Sequence, residues 1–127
     1  LKRVVGVPGD LIELRENRLF VNGQAASYAR DGRLDGAASV VEETAAGRRH
    51  LIELSPLPAP ASSFGPVRVP EERYLMMGDN RDNSFDSRYF GFVPRSEILG
   101  QVTRVVASVD PQRGYRPRFE RFLKALE

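Results

Sequence analysis

The chain has 127 residues, 41% of them apolar and 28% charged, enough for one domain with its own core. A net charge of +2 is too small to argue for nucleic acid, and without cysteine there is no disulfide or thiolate chemistry. No run of about 18 apolar residues exists, so nothing reads as a membrane span. The opening Leu1-Lys2-Arg3-Val4-Val5 reads as the middle of a strand, so the chain is expected to be part of a longer one.

Residues 2–7 are rich in β-branched side chains and end in the turn residues Pro8-Gly9-Asp10. Residues 11–15 alternate, Glu16-Asn17 makes a tight turn, and residues 18–21 return. Asn22-Gly23 tolerates positive φ at both positions, so residues 1–25 predict a β-meander. Residues 26–49 are rich in Ala, Gly and charge and read as a surface excursion with one short strand near Ser39–Glu42. His50–Leu54 reads as a strand, and residues 55–66 hold four prolines and read as a loop. Val67–Val69 and Tyr74–Met77 are predicted strands, Pro94–Leu99 one helical turn, and Gln101–Val109 a long strand. Phe119, Phe122, Leu123 and Leu126 follow the i, i+3, i+4, i+7 stripe, which predicts a short C-terminal helix. The expected fold is mainly β: an antiparallel sheet with insertion loops and that helix. It is read as a single unit, with 1–25 and 67–127 as the β core and 26–66 as a small inserted region.

Two segments carry the chemistry. Of 19 basic residues only Lys2 and Lys124 are lysines, so arginine is used wherever a plain positive charge suffices. A lysine can give up its proton and an arginine cannot, which singles out Lys2 in Lys2-Arg3-Val4-Val5-Gly6-Val7-Pro8-Gly9-Asp10. The second segment runs Gly78-Asp79-Asn80-Arg81-Asp82-Asn83-Ser84-Phe85-Asp86-Ser87-Arg88-Tyr89-Phe90-Gly91. Counted from Asp79, its sixth and twelfth positions are Ser84 and Phe90, where a calcium loop needs Gly and Glu. Its interleaved Asp and Arg instead suit ion pairs that stiffen a loop. No metal or cofactor is expected. His50 is the single histidine, which excludes a Ser-His-Asp triad within the chain, and it reads as structural.

These two segments resemble the two C-terminal signature boxes of the bacterial type I signal peptidases, in the right order. The resemblance implies a Ser/Lys serine endopeptidase that removes signal peptides from secreted preproteins at Ala-x-Ala-like sites. It makes Lys2 the general base and Ser84 the hydroxyl that orients the lysine amine. Asp86 with Arg88 would support Ser84. Arg3 with Asp79 would tie the boxes together, and Gly78 would let backbone pass close to the site. Leu1 and Met77 would help line the substrate pockets. A base must be neutral, and a free lysine titrates near pH 10.4, so at neutral pH only about one in a thousand is ready. Burial lowers such a pKa by roughly 3–5 units; Leu1, Val4, Met76 and Met77 are the expected walls.

The family's nucleophile lies upstream, in a Ser-x-Met-x-Pro segment that follows one or two membrane helices. No such segment occurs in these residues, so the chain alone is expected to be inactive. The implied location is the outer face of the bacterial plasma membrane. Two other readings are a specialised peptidase of conjugation or pilus systems and a homologue that holds signal peptides without cutting them.

Overall fold

The computed structural model describes residues 2–35, 38–110, 114–118 and 121–125. Strands β1 (Arg3–Gly6), β2 (Leu11–Arg15), β3 (Arg18–Val21) and β4 (Gln24–Ala25) follow one another closely. The turns between them take a left-handed backbone, Glu16 and Asn17 at φ 48° and 63° and Asn22 and Gly23 at 53° and 81°, and the asparagines and the glycine are the residues that tolerate it. With β8 (Phe64–Arg68), the strands β2, β3 and β4 build a four-stranded antiparallel sheet in the order β4-β3-β2-β8. β1 leaves that sheet and pairs with β9 (Arg73–Met77), in register Arg3 to Met77 and Val4 to Met76. β10 (Val93–Pro94) lies on the other edge of β9.

The core is Ile12, Leu14 and Leu19 from the larger sheet, closed by Ala26, Val69, Leu75 and Met77. Each large apolar side chain among them contributes about 1.5–3 kcal/mol by leaving water. Gly6 sits where β1 crosses this core: a Cβ there would lie 2.8 Å from the Ile12 side chain. The crossing is therefore closer than any larger residue permits, and it presses the second sheet onto the first.

Residues 26–49 correct the expected surface excursion, while the strands expected near Ser39–Glu42 and at His50–Leu54 are present within longer ones. β5 (Ser27–Asp35), β6 (Ala38–Ala45) and β7 (Arg48–Leu54) form a three-stranded antiparallel sheet. The β6–β7 turn rests on Ala46 and Gly47 at φ 48° and 75°. The apolar alternation of β6 is hidden because the inward position after Val41 is Glu43, which is fully buried.

The remaining loop between β7 and β8 carries a short 3₁₀ turn at Pro60–Ser62, and the expected helical turn appears as a 3₁₀ turn at Arg95–Glu97. The expected strand over residues 101–109 is instead two short ones, β11 (Arg104–Val105) and β12 (Val109–Asp110). Their partners correct the expected C-terminal helix: β13 (Arg116–Pro117) pairs with β12, and β14 (Lys124–Ala125) pairs with β11. Two members of the apolar stripe, Phe119 and Leu126, lie outside the described residues. Leu123 adopts φ 57°, which no α-helix contains, and is 66% exposed. The ladder bonds to β11 and β12 replace the internal bonds of a helix.

Candidate active site

The pairing of β1 with β9 sets the site. Lys2 immediately precedes β1, and Gly78 immediately follows β9, so the antiparallel register brings the two together. The loop after Gly78 returns over it, and Ser84 Oγ comes to 2.8 Å from Lys2 Nζ across 82 residues of sequence. Gly78 is the floor of this contact. A Cβ on it would stand 2.6 Å from Ser84 Cβ and 3.4 Å from Lys2 Nζ, so any side chain there pushes Ser84 off the lysine.

Asp86 holds the far side of Ser84. It is fully buried and accepts from the Gly78 N–H at 2.9 Å, from the Arg88 N–H at 3.2 Å, and from the Arg88 guanidinium through two 2.8 Å bonds. Burial alone would raise the pKa of this carboxyl. The bonds from Arg88 and Gly78, with the adjacent Ser84 hydroxyl, outweigh it and hold the pKa down to about 2. Asp86 also caps the single helical turn α1 (Ser87–Phe90), and Ser87 Oγ accepts the Met76 N–H at 2.9 Å. The loop thus closes back onto β9. Arg3 and Asp79 form a bidentate pair, Nε to Oδ1 at 2.9 Å and Nη2 to Oδ2 at 3.0 Å, joining β1 to the loop at the surface.

The other half of the loop is held by residues that sequence reasoning missed. Arg81 and Glu43 make a bidentate pair at 2.6 and 2.9 Å, with side chains 1% and 0% exposed. Tyr28 donates its hydroxyl to Glu43 Oε2 at 2.8 Å, and His50 Nε2 lies 3.1 Å from Oε1. Burial would raise the Glu43 pKa; the contacts from His50, Arg81 and Tyr28 bring it down to about 2 instead. Burial drives the Tyr28 phenol upward. Asp82 accepts from the N–H groups of Ser55 and Ala59 and from Asn17 Nδ2, at 2.8–2.9 Å. One signal was available in the sequence: a glutamate at an inward position of an alternating strand needs a buried cation, and Arg81 is one of two arginines in the polar loop.

Lys2 itself is exposed, and of its expected walls Val4 is 43% exposed. Met77, implied as a pocket residue, is fully buried among the core side chains, because the register that brings Gly78 to Lys2 turns Met77 inward. Leu1 lies outside the described residues. Among the described residues no helix is long and apolar enough to cross a membrane.

A lysine amine is thus held by a half-buried, carboxylate-backed serine on an antiparallel β scaffold. Residues 1–107 match the family model described as signal peptidase, peptidase S26, and the chain belongs to that family. It is 36% identical over 102 residues to a probable signal peptidase I-2 of Synechocystis sp., covering 80% of this chain and 35% of that one. It is 35% identical to signal peptidase I of Pseudomonas fluorescens, covering 95% of this chain and 48% of the relative. It is likewise 35% identical to signal peptidase I P of Bacillus subtilis subsp. natto, covering 87% and 52%. A crystal structure of a signal peptidase I from Enterococcus faecalis aligns over 80% of each chain at 30% identity, with TM-score 0.48. The chain spans a third to a half of the length of these curated relatives.

Proposed function

We propose that the protein is a serine endopeptidase of the Ser/Lys type that cuts signal peptides from exported preproteins, with Lys2 as its general base. The observation that carries this reading is the 2.8 Å contact of Lys2 Nζ with Ser84 Oγ over the bare backbone of Gly78. The Asp86 carboxylate beside Ser84 is an acceptor only, so the Ser84 hydrogen points there and an oxygen lone pair is left for the lysine N–H. Lys2 then keeps its own lone pair free for another hydroxyl. That arrangement orients a base and makes Ser84 a poor nucleophile.

The attacking serine is supplied from outside these 127 residues. Lys2 takes its proton as the oxygen adds to the scissile carbonyl, and returns that proton to the leaving amine; water then hydrolyses the acyl-enzyme. Lys2 stands exposed, so the apolar cover that a neutral amine needs comes from the bound peptide or from chain beyond these residues. The substrates are preproteins with small side chains at an Ala-x-Ala-like site, and the place of work is the outer face of the bacterial plasma membrane.

The test uses the longest chain that the reading frame encodes, with a preprotein reporter. Wild type is expected to release the mature protein, and Lys2→Ala to lower the rate by at least about a thousandfold. Equal rates for the two would overturn the role of Lys2. A signal peptide that binds wild type yet stays intact would favour a homologue that holds such segments without cutting them.

A further inference from the structure

The buried Glu43 takes no part in the proposed reaction, yet it is as fully enclosed as any core residue. A buried carboxylate is costly unless it is paired and hydrogen-bonded. Glu43 is both, and its cation is Arg81, three residues before Ser84. Arg81 is not the only tie between the β5–β7 sheet and this loop. The Glu53 N–H donates to the Asp79 carbonyl at 2.9 Å, and the Arg81 N–H donates to the Glu53 carbonyl at 3.0 Å. Asn80 Nδ2 donates to Glu53 Oε1 at 2.9 Å. Asp82 takes the N–H groups of Ser55 and Ala59. Four successive loop residues, 79 to 82, are therefore each bonded to Glu43 or to residues 53–59. The Asn83 N–H then closes onto Asn80 Oδ1 at 3.1 Å, so the turn that delivers Ser84 is fixed from its first residue to its last.

We propose that the β5–β7 sheet is a brace for the reacting lysine, in which Glu43, through Arg81, acts as a positioning residue for Ser84 and hence for the Lys2 amine. The proposal rests on the reading of Lys2 and Ser84 as the working pair. The loop has two anchors: Asp86 with Arg88 behind Ser84, and Glu43 with Arg81 ahead of it. With one anchor removed, Ser84 keeps its partner Asp86 but loses its fixed distance from Lys2. Misplacement on the scale of an ångström is enough to cost a reaction dearly.

The two lysines of this chain provide a readout that needs no catalysis. Brief acetylation with acetic anhydride, read by peptide mass spectrometry, gives the rate at Lys2 relative to the exposed Lys124. Ser84→Ala is expected to raise that ratio about threefold, the loss of one modest hydrogen bond. Glu43→Gln, which keeps shape and loses charge, is expected to raise it nearly as much, and to add no more than about 1.5-fold in the Ser84→Ala background. In the cleavage assay Glu43→Gln should lower kcat about tenfold and leave KM within about twofold.

Folding is checked for every variant by circular dichroism. Arg81→Lys, which keeps the charge and loses the fork, and Glu53→Ala, at a half-buried position, are the milder cuts should Glu43→Gln not fold; both are expected to move the ratio in the same direction. A folded variant with the wild-type ratio, or effects that multiply in the Ser84→Ala background, would overturn the brace. If wild type cleaves no preprotein, the proposed reaction fails, and the acetylation ratio still decides whether the brace exists.

Discussion

The loop that carries Ser84 is clamped by two buried carboxylate–arginine pairs that look alike and are made differently. Asp86 and Arg88 are two residues apart, both with fully buried side chains, and their pairing is settled by the helical turn that Asp86 caps. Glu43 and Arg81 are 38 residues apart and meet only because a separate sheet is laid against the loop. The local pair is part of the loop's own conformation. The distant pair is a statement about tertiary structure, and it puts the β5–β7 sheet in contact with the loop that carries Ser84. The comparison separates what makes the loop from what places it.

The sharpest way to break the comparison is to remove one carboxylate at a time. Asp86→Ala leaves Arg88 and the Gly78 N–H both buried and unpaired. The expected loss is about 3–5 kcal/mol for the cation, with about 1–3 more for the amide, measured by urea unfolding. Glu43→Ala strands Arg81 and also takes a partner from the Tyr28 hydroxyl and from His50; it should cost about 3–5 kcal/mol for the cation, with about 1–3 more for the hydroxyl. A Glu43→Ala loss well below that of Asp86→Ala would mean that the distant pair contributes less than the local one.

Acid is the next lever. Both carboxyls are held near a pKa of about 2, below the ordinary 3.8 of Asp and 4.5 of Glu. Depressed values mean that their stabilisation is complete above about pH 5 and is lost as the pH falls toward 2. Urea midpoints measured across that range should therefore fall with pH. In Glu43→Gln the fall should be shallower, because one proton fewer is taken up on unfolding.

The smallest expected effect is at Arg3 and Asp79. Their contact is as well formed as the buried pairs, but the side chains are 31% and 47% exposed. Arg3→Ala should cost less than about 1 kcal/mol in the same unfolding experiment, and less still in high salt.

The same contrast explains what could be read from the residues alone. Asn22-Gly23 announces its turn because both residues tolerate positive φ, and the strands on either side of Glu16-Asn17 alternate cleanly enough to mark a turn between them. The polar loop is dense enough in Asp and Arg to declare itself a stiffened segment. The β5–β7 sheet was legible only as strands near Ser39–Glu42 and at His50–Leu54, because Glu43 occupies an apolar position and its compensating charge lies in another part of the chain. The tail misled for a related reason. A four-residue apolar stripe fits a helix, but β11 and β12 offered backbone partners that no local pattern records. Met77 shows the limit at the site itself: the family resemblance implied a pocket wall, and strand alternation turns its side chain into the core.

The span of 82 residues between Lys2 and Ser84 also gives the site a place in time. Hairpins such as β2–β3 close over a few residues and form early, whereas β1 meets β9 only after the intervening chain has been gathered in. In refolding, the contact of Lys2 with Ser84 is therefore expected among the last to be made. The pair is in this sense a completion signal: a chain that has its hairpins but has not yet joined β1 to β9 does not hold Lys2 against Ser84.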